Sequence, residues 1–227
     1  MSRMPEIFED RREAGRFLAS KLMDYASKRP VCAGLPRGGV VLAAQVADAL
    51  GCVLDVIVAG KLRSPYNSEL AIGAVTEDGE VYLNDDVIRS LRVTERYIED
   101  ERSDRLQVVL EKAGRYRQVI DKTSLNGRCV ILVDDGLATG STMISAAQAA
   151  HAGGAAEIIV AVPGGPRDTV ARLRAMPEIA RVICPIVPDV FYAVSQLYRD
   201  FSQTLDDEVV AILKEFALKN ASRVSVK

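Results

Sequence analysis

The chain contains few of the residues from which many catalytic sites are built. It has one histidine, His151, and no tryptophan, and its four cysteines form no CxxC pair. A single histidine excludes a multi-histidine metal site, and scattered cysteines indicate neither a zinc site nor a disulfide framework. We therefore interpret Cys32, Cys52, Cys129 and Cys184 as small buried hydrophobic residues in a reducing compartment.

An excess of basic charge and a long apolar segment are also absent. The 29 Lys and Arg residues face 31 Asp and Glu residues, and this balance argues against general nucleic-acid binding. No apolar stretch approaches the roughly 20 residues of a membrane span. The N-terminal residues lack the apolar centre of a signal peptide. These absences predict a cytoplasmic protein that does not enter a membrane.

What the chain does contain is an alternation of apolar runs and helical patterns over 227 residues. We predict strands at 31–35, 53–60, 81–84, 128–134, 157–162 and 181–187, and helices at 7–28, 40–50, 94–119, 140–154, 166–175 and 206–219. This order predicts an α/β fold with a mostly parallel twisted sheet flanked by helices. Because no repeat or linker interrupts the chain, we expect residues 1–227 to form a single domain.

The stretch 62–127 fits this alternation poorly. We expect it to be a long insertion, or a flexible loop followed by a largely solvated helix at 94–119. The first part of the stretch opens with turn residues and then becomes apolar, whereas its last part is rich in charge and poor in helix breakers.

The clearest chemical signal lies at 130–142. A buried strand ends at two adjacent acids, Asp134 and Asp135, and a turn rich in glycine and hydroxyl residues leads into a helix. Ligands of open α/β sheets bind at the carboxyl ends of strands, and backbone N–H groups at a helix start attract anions. The candidate phosphate-binding residues are Gly136, Leu137, Ala138, Thr139, Gly140, Ser141 and Thr142.

The two acids serve a different ligand, since carboxylates repel phosphate. They are suited to vicinal hydroxyls or to a divalent cation. The turn contains no lysine, which excludes the nucleotide-triphosphate loop GxxxxGK[ST]. A phosphate cup beside a diol-binding acid pair describes a ribose 5-phosphate site. The alternative is a capped helix after a strand, with both acids merely solvated.

This segment resembles the phosphoribosyl-diphosphate-binding motif of the type I phosphoribosyltransferases, in which two acids precede a turn ending in Thr-Gly-Ser/Gly-Thr. The resemblance implies that Asp134 and Asp135 bind the ribose 2′- and 3′-hydroxyls and adjoin a Mg²⁺ ion. It also implies that residues 138–142 hold the 5′-phosphate, and that the protein is a homodimer, which is common in that family. Segments at 65–75, 191–192 and 200–203 resemble uncharacterised bacterial phosphoribosyltransferase-like proteins.

A second anion-binding segment follows the first predicted strand, at the place where the resembled family has its pyrophosphate-binding loop. The residues are Pro36, Arg37, Gly38 and Gly39. Arg37 supplies a cationic fork, and the glycines expose N–H groups to an anion. In the resembled family one peptide of this loop is often cis without a proline after it. The alternative is an ordinary turn between a strand and a helix.

Two further basic residues, Lys61 and Arg63, follow the second predicted strand. In the resembled family a basic residue at this place often reaches the pyrophosphate, and a mobile loop follows. Lys61 and Arg63 either neutralise the leaving group or mark a solvated strand end. We take residues 62–80 as the candidate for a lid that excludes water.

The C-terminal part, 187–227, is expected to form a hood over the site and a last helix. Its segment 187–192 resembles the purine-binding stretch of the hypoxanthine-guanine phosphoribosyltransferases, where an aromatic residue stacks on the base. Phe191 or Tyr192 would take that place here, or would otherwise pack in the core. The segment departs from that group, because Tyr198 follows Leu197 and Thr204 stands where an arginine is expected. A 6-oxopurine acceptor is therefore in doubt.

The activity that the resemblance implies is transfer of ribose 5-phosphate from 5-phospho-α-D-ribosyl 1-diphosphate to an unknown small nitrogen acceptor. Pyrophosphate leaves, Mg²⁺ offsets its charge, and Arg37 and Lys61 complete that stabilisation. Glu69 is the one acid we would test as a general base. The alternatives are a non-catalytic sensor of phosphoribosyl diphosphate or a nucleotide, and a hydrolase of phosphorylated sugars.

Overall fold

The computed structural model describes residues 7–67 and 70–224, with side chains up to residue 219. The strands are β1 (Val31–Gly34), β2 (Val53–Val56), β3 (Ala59–Arg63), β4 (Ala71–Thr76), β5 (Val81–Leu83), β6 (Cys129–Val133), β7 (Glu157–Ala161) and β8 (Arg181–Ile183). The α-helices are α1 (Arg11–Leu22), α2 (Gly38–Leu50), α3 (Asp85–Leu91), α4 (Glu95–Arg117), α5 (Ser141–Ala152), α6 (Arg167–Arg174) and α7 (Asp206–Val224).

The larger sheet has five parallel strands in the order β2-β1-β6-β7-β8. Alternate residues of β6 point to opposite faces: Ile131 and Val133 join the cluster formed with α1, α2 and α7, whereas Val130 and Leu132 join the cluster formed with α5 and α6. Burial on both faces explains why the strand sequences are continuous apolar runs. The predicted parallel α/β sheet flanked by helices is confirmed.

The N-terminal helix is shorter than the periodicity of 7–28 predicts. Helix α1 begins after Asp10, whose side chain accepts a hydrogen bond from the backbone N–H of Glu13 at 2.7 Å. It is followed by a 3₁₀ helix at Met23–Lys28, which ends at Arg29 with a left-handed φ of 46°. The helix predicted at 40–50 is confirmed as α2, and Gly51 ends it with φ of 62°.

The single strand predicted at 53–60 is wrong. The chain forms β2 up to Val56 and β3 from Ala59, and the two strands belong to different sheets. The linking residues, Ile57 and Val58, let the backbone leave the parallel sheet. Gly60 then packs under α4, where a Cβ would lie 2.9 Å from the side chain of Val109. The continuous apolar run at 53–60 therefore does not reveal that the chain passes from one sheet to the other.

The stretch 62–127 contains more regular structure than the expected loop and helix. Strands β3, β4 and β5 form an antiparallel sheet of their own, with an irregularity between Leu62 and Arg63. The long helix is present as α4, but it is not simply solvated, because it buries Val109, Ala113 and Tyr116. Helix α5 contacts strands of both sheets and so lies where they meet.

The C-terminal residues form a 3₁₀ helix at Val194–Leu197 and then α7, which contacts α2, α4 and β2. The four cysteines are buried and unpaired, as the sequence predicts. Within the described residues, no helix combines the length and the apolar character required to cross a bilayer.

Candidate functional site

The acid pair and the turn after it lie at the carboxyl end of β6, next to the ends of β1 and β7. Strand β6 ends at Val133, the half-buried Asp134 and Asp135 follow, and the chain enters α5 at Ser141. Gly140 caps this helix with a left-handed φ of 73°. A residue with a side chain would be strained in that conformation. The backbone conformation at the start of α5 therefore depends on glycine.

Burial makes this acid pair electrostatically unusual. The backbone N–H of Asp135 donates a hydrogen bond to Asp134 Oδ1 at 2.9 Å. Burial nevertheless raises the pKa of Asp134 well above its usual range, and the adjacent Asp135 carboxylate raises it further. Burial also raises the pKa of Asp135, against an opposing effect of Arg11. A ligand that supplies positive charge or hydroxyl donors would stabilise both carboxylates.

The candidate pyrophosphate loop lies directly against the acids. Leu35 N–H donates to the carbonyl of Val133 at 2.9 Å, which ties the end of β1 to the end of β6. A Cβ built on Gly38 would overlap the Asp135 carboxylate, and one built on Gly39 would overlap the backbone at Val133. The Pro36–Arg37 peptide is cis. The structure thus brings together the two segments that the sequence singled out nearly one hundred residues apart.

Arg11 also belongs to this candidate site, although no sequence pattern pointed to it. Its Nε donates to Asp135 Oδ2 at 2.8 Å, and its Nη1 donates to the Ser202 carbonyl at 2.7 Å. The guanidinium lies over the Phe201 ring at 4.0 Å. Tyr198 completes the cluster by donating its hydroxyl to the Asp135 carbonyl at 2.6 Å. The contacts of Arg11 with Phe201 and Ser202 bring the segment 200–203 next to the acid pair.

Helix α6 supports the phosphate turn from outside, which the sequence also did not indicate. Thr169 donates its hydroxyl to the Ala138 carbonyl at 3.0 Å, and Arg172 donates to the Thr139 carbonyl. These bonds use carbonyl oxygens of the turn, and the backbone N–H of Leu137 within the turn donates to the Gly164 carbonyl at 2.9 Å. Thr139 and Ser141 hydroxyls lie 3.1 Å apart at the start of α5.

Lys61 lines a cleft of about 310 Å³ together with Pro36 and Thr142. The cleft lies between β3, α4 and α5, and Arg63 lines it as well. Arg63 is not simply solvated at the end of β3, because its side chain pairs with Glu101 of α4 at 2.8 Å. Both basic residues that the sequence singled out after the second apolar run are therefore beside the candidate site.

The other predicted residues have different outcomes. Glu69 and the neighbouring residue 68 lie outside the described residues. Phe191 is half-buried against the larger core cluster, whereas Tyr192 is 85% exposed. His151 lies in the last turn of α5 with its ring 6.4 Å from that of Tyr82, away from the phosphate turn. The roles of these residues in acceptor binding or catalysis stay predictions.

A family model described as phosphoribosyl transferase domain matches residues 6–201. The chain belongs to this phosphoribosyl transferase domain family. The match covers both anion-binding segments, the acid pair and most of the C-terminal segment that surrounds Arg11. It leaves all of α7 outside.

Relatives of this phosphoribosyl transferase domain agree with the assignment. Two Mycobacterium tuberculosis proteins, from strains CDC 1551 and H37Rv, are named as phosphoribosyl transferases and are each 45% identical over 208 residues. The match covers 92% of this chain and 46% of each relative, so the chain spans about half the length of the curated relatives it matches. A crystal structure from Thermus thermophilus is 42% identical, with a TM-score of 0.87, and the match covers 92% of this chain and 99% of that one.

Proposed function

We propose that this domain binds 5-phospho-α-D-ribosyl 1-diphosphate and transfers its ribose 5-phosphate to a nitrogen acceptor. The observation that carries the proposal is the packing of Gly38 and Gly39 against Asp135 and Asp134. This packing supports the proposal, because the two candidate anion-binding turns then both adjoin the acid pair. A sugar with a phosphate at one end and a diphosphate at the other matches that order of groups.

Each end of the substrate has its own donors in this proposal. The 5′-phosphate lies in the turn 136–142, at the positive end of α5. The ribose hydroxyls donate to the carboxylates of Asp134 and Asp135. The diphosphate lies against the N–H groups of the 36–39 loop, with Arg37 and Lys61 offsetting its charge.

The acid pair also fits a magnesium ion. Carboxylate oxygens are ligands that Mg²⁺ prefers, and a cation would offset the burial and repulsion that raise the pKa of Asp134. No group of three or more potential ligands occurs among the described His, Cys, Asp and Glu side chains, so substrate oxygens and water would complete the coordination. When bound, Mg²⁺ supplies positive charge that stabilises the departing diphosphate.

The chain's own contribution is positioning and exclusion of water. Departure of diphosphate leaves positive charge at C1 of the ribose, and water that reaches C1 competes with the acceptor for it. Residues 62–80, which include the end of β3 and strand β4, are the candidate lid. Just after β3, Ser64 Oγ accepts hydrogen bonds from the backbone N–H groups of Tyr66 and Asn67. Phe191 or Tyr192 would contact the acceptor, and Glu69 is the candidate base.

Release of diphosphate tests the proposal. Phosphoribosyl diphosphate, MgCl₂ and a panel of purines, pyrimidines and small amines would be incubated with the protein, and diphosphate and new N-glycosidic products measured. We expect acceptor-dependent release that is abolished by the double substitution Asp134→Asn and Asp135→Asn. A matched control changes Asp85 and Asp86, which lie at the exposed start of α3, to asparagine.

Three results would contradict the proposal in different ways. Normal substrate binding by the Asp134 and Asp135 variant would remove the acid pair from the site. Tight binding without turnover of any acceptor would favour a sensor. Release of ribose 5-phosphate without an acceptor would favour a hydrolase.

A further inference from the structure

The cleft that Lys61 lines extends well beyond the groups assigned to phosphoribosyl diphosphate. It begins at Pro36 and Thr142, runs beneath β3, and continues along α4 from Arg105 to Lys112. These two residues are seven positions apart, so two helical turns, or about 10 Å, separate them. That length exceeds what a single phosphate group spans.

The charge of this cleft is of one sign. Four basic side chains line it, and none of its described lining residues is acidic; the four are Lys61, Arg63, Arg105 and Lys112. Glu101, which does not line the cleft, pairs with Arg63 at 2.8 Å and with Arg105 at 3.5 Å. Because Glu101 offsets one charge, the wall keeps an excess of positive charge. The two guanidinium groups are also held in place before any ligand arrives.

Two donors at this cleft have no hydrogen-bond partner within the described part of the chain. Ser145 on α5 is 1% exposed, and its Oγ makes no hydrogen bond. Arg105 Nε is buried and pairs with Glu101 only at ion-pair distance. A buried donor without an acceptor is costly, and most such donors in proteins are satisfied. Phosphoryl oxygens are strong acceptors that would satisfy both.

We propose that this cleft is a second anion site, and that it binds a diphosphate or longer polyphosphate group through Arg105, Lys112 and Ser145. Two sources share this chemistry: the diphosphate that leaves phosphoribosyl diphosphate, and the polyphosphate of a nucleotide that acts as an effector. The anion site stands without the transfer reaction, since it rests on the charge and the unsatisfied donors of the cleft alone.

Calorimetric titration with inorganic diphosphate and MgCl₂ tests this site. Saturating ribose 5-phosphate is included, so that the phosphate turn is occupied. We expect the double variant Arg105→Gln and Lys112→Gln to bind diphosphate at least about tenfold more weakly, as expected for loss of charge-assisted hydrogen bonds. Ser145→Ala should weaken binding about threefold. The control is Arg96→Gln, whose side chain on the same helix is 92% exposed and outside the cleft.

Unchanged binding by the double variant, with circular dichroism showing that it is folded, would overturn the proposal. An equal loss in the Arg96→Gln control would also overturn it, because the effect would then come from net charge.

Competition distinguishes the two sources once the site is established. If phosphoribosyl diphosphate displaces the part of the wild-type diphosphate binding that the Arg105 and Lys112 variant lacks, the cleft holds the leaving group. If diphosphate or a nucleoside triphosphate still binds to protein saturated with phosphoribosyl diphosphate, the cleft holds an effector. Either result supports the anion site, whereas failure of diphosphate to bind under any condition contradicts it. Failure of the transfer reaction alone leaves these binding measurements unaffected.

Discussion

Two cavities share Ile57 and Val58 as a common wall, and they differ in nearly every other respect. The larger, of about 560 Å³, is lined by the acids Asp55, Glu77, Asp78 and Glu80 and the bases Arg117 and Lys122. The smaller, of about 310 Å³, is the basic cleft beside the phosphate turn. Size alone would select the larger cavity as the binding site.

The pairing of charges reverses that choice. In the acidic cavity Arg117 pairs at 2.6 Å with both Asp55 and Glu77, and Lys122 pairs with Asp78. Asp55 also accepts hydrogen bonds from the backbone N–H groups of Val56 and Thr123. Groups already satisfied by the fold have little to offer a ligand, whereas the basic cleft contains donors without partners. The comparison favours the basic cleft as the candidate site, because hydrogen-bond donors without partners line it although its volume is smaller.

The largest expected effect on stability comes from removing the ion pairs that Arg117 makes in the acidic cavity. Arg117→Met would leave Asp55, which is 2% exposed, and Glu77 without their cation. Removing one partner of a buried ion pair costs about 3–5 kcal/mol, so the free energy of unfolding measured in urea should fall by that amount. Diphosphate binding by the folded variant should be unchanged.

The matched control for this prediction is Arg115→Met on the same helix. Arg115 is 58% exposed, and its ion pairs should contribute less than about 1 kcal/mol. Weakened diphosphate binding by Arg117→Met would show that the two cavities are not independent.

A smaller effect is expected from Arg11→Gln. Arg11 holds Asp135 at the site much as Arg117 holds Asp55, but its carboxylate partner faces the proposed ribose. Loss of the 2.8 Å charge-assisted bond should weaken binding of phosphoribosyl diphosphate about tenfold, measured by calorimetry with MgCl₂. Diphosphate binding in the basic cleft should change little. Arg11→Lys should restore only part of the affinity, because lysine keeps the charge but cannot stack its head group on Phe201.

Unchanged affinity for phosphoribosyl diphosphate in a folded Arg11→Gln variant would contradict the positioning role. A uniform loss of diphosphate and phosphoribosyl diphosphate binding would indicate that the variant perturbs the whole site.

The smallest effect concerns Glu101, the carboxylate that pairs with Arg63 and Arg105 of the basic cleft. Burial by itself raises the pKa of Glu101, but hydrogen bonds and charge from Arg63 outweigh burial and leave the pKa below its ordinary value of 4.5. A carboxylate with a lowered pKa stabilises the folded state above its unfolded pKa, and this stabilisation is lost as the pH falls through the folded pKa. The free energy of unfolding of the wild type should therefore decrease as the pH is lowered below about 4.5. Part of this decrease should be absent from Glu101→Gln, which has no carboxylate to protonate at this position.

The same Glu101→Gln variant should be less stable than the wild type but should bind diphosphate more tightly. At neutral pH the free energy of unfolding should decrease by about 1 kcal/mol, because Arg63 and Arg105 lose their partner. Diphosphate affinity should increase about threefold, because the cleft gains one net positive charge. A decrease in affinity would show that Glu101 mainly orients the two arginines.

Much of the larger sheet could be predicted from the sequence. The runs at 128–134 and 157–162 gave β6 and β7 within one or two residues at each end, because strands buried on both faces must be continuously apolar. The run at 53–60 is equally apolar, but its prediction as one strand was wrong, because hydrophobicity does not indicate which sheet a strand joins. Strand β4 escaped prediction because the turn residues at its start masked it.

The candidate site divides in a similar way. The acid pair, the phosphate turn and the 36–39 loop each have a local signature of turn residues at a strand end. Arg11, Arg105 and Ser145 have none, because one arginine or serine on a helix is common and its meaning depends on what packs against it. Arg11 is selected only by its contact with Asp135, 124 positions away in the chain.

The α/β pattern, the acid pair and the two candidate anion-binding turns could be recognised in the sequence alone, because hydrophobic periodicity and glycine-rich turns are local properties of the chain. The tertiary structure decided which distant residues meet: that Gly38 and Gly39 lie against the acids, that Arg11 clamps Asp135, and that α4 lines a cleft with positive charge. The physical reason is that burial and pairing set the electrostatics of a side chain, and both arise only when segments far apart in the chain pack together.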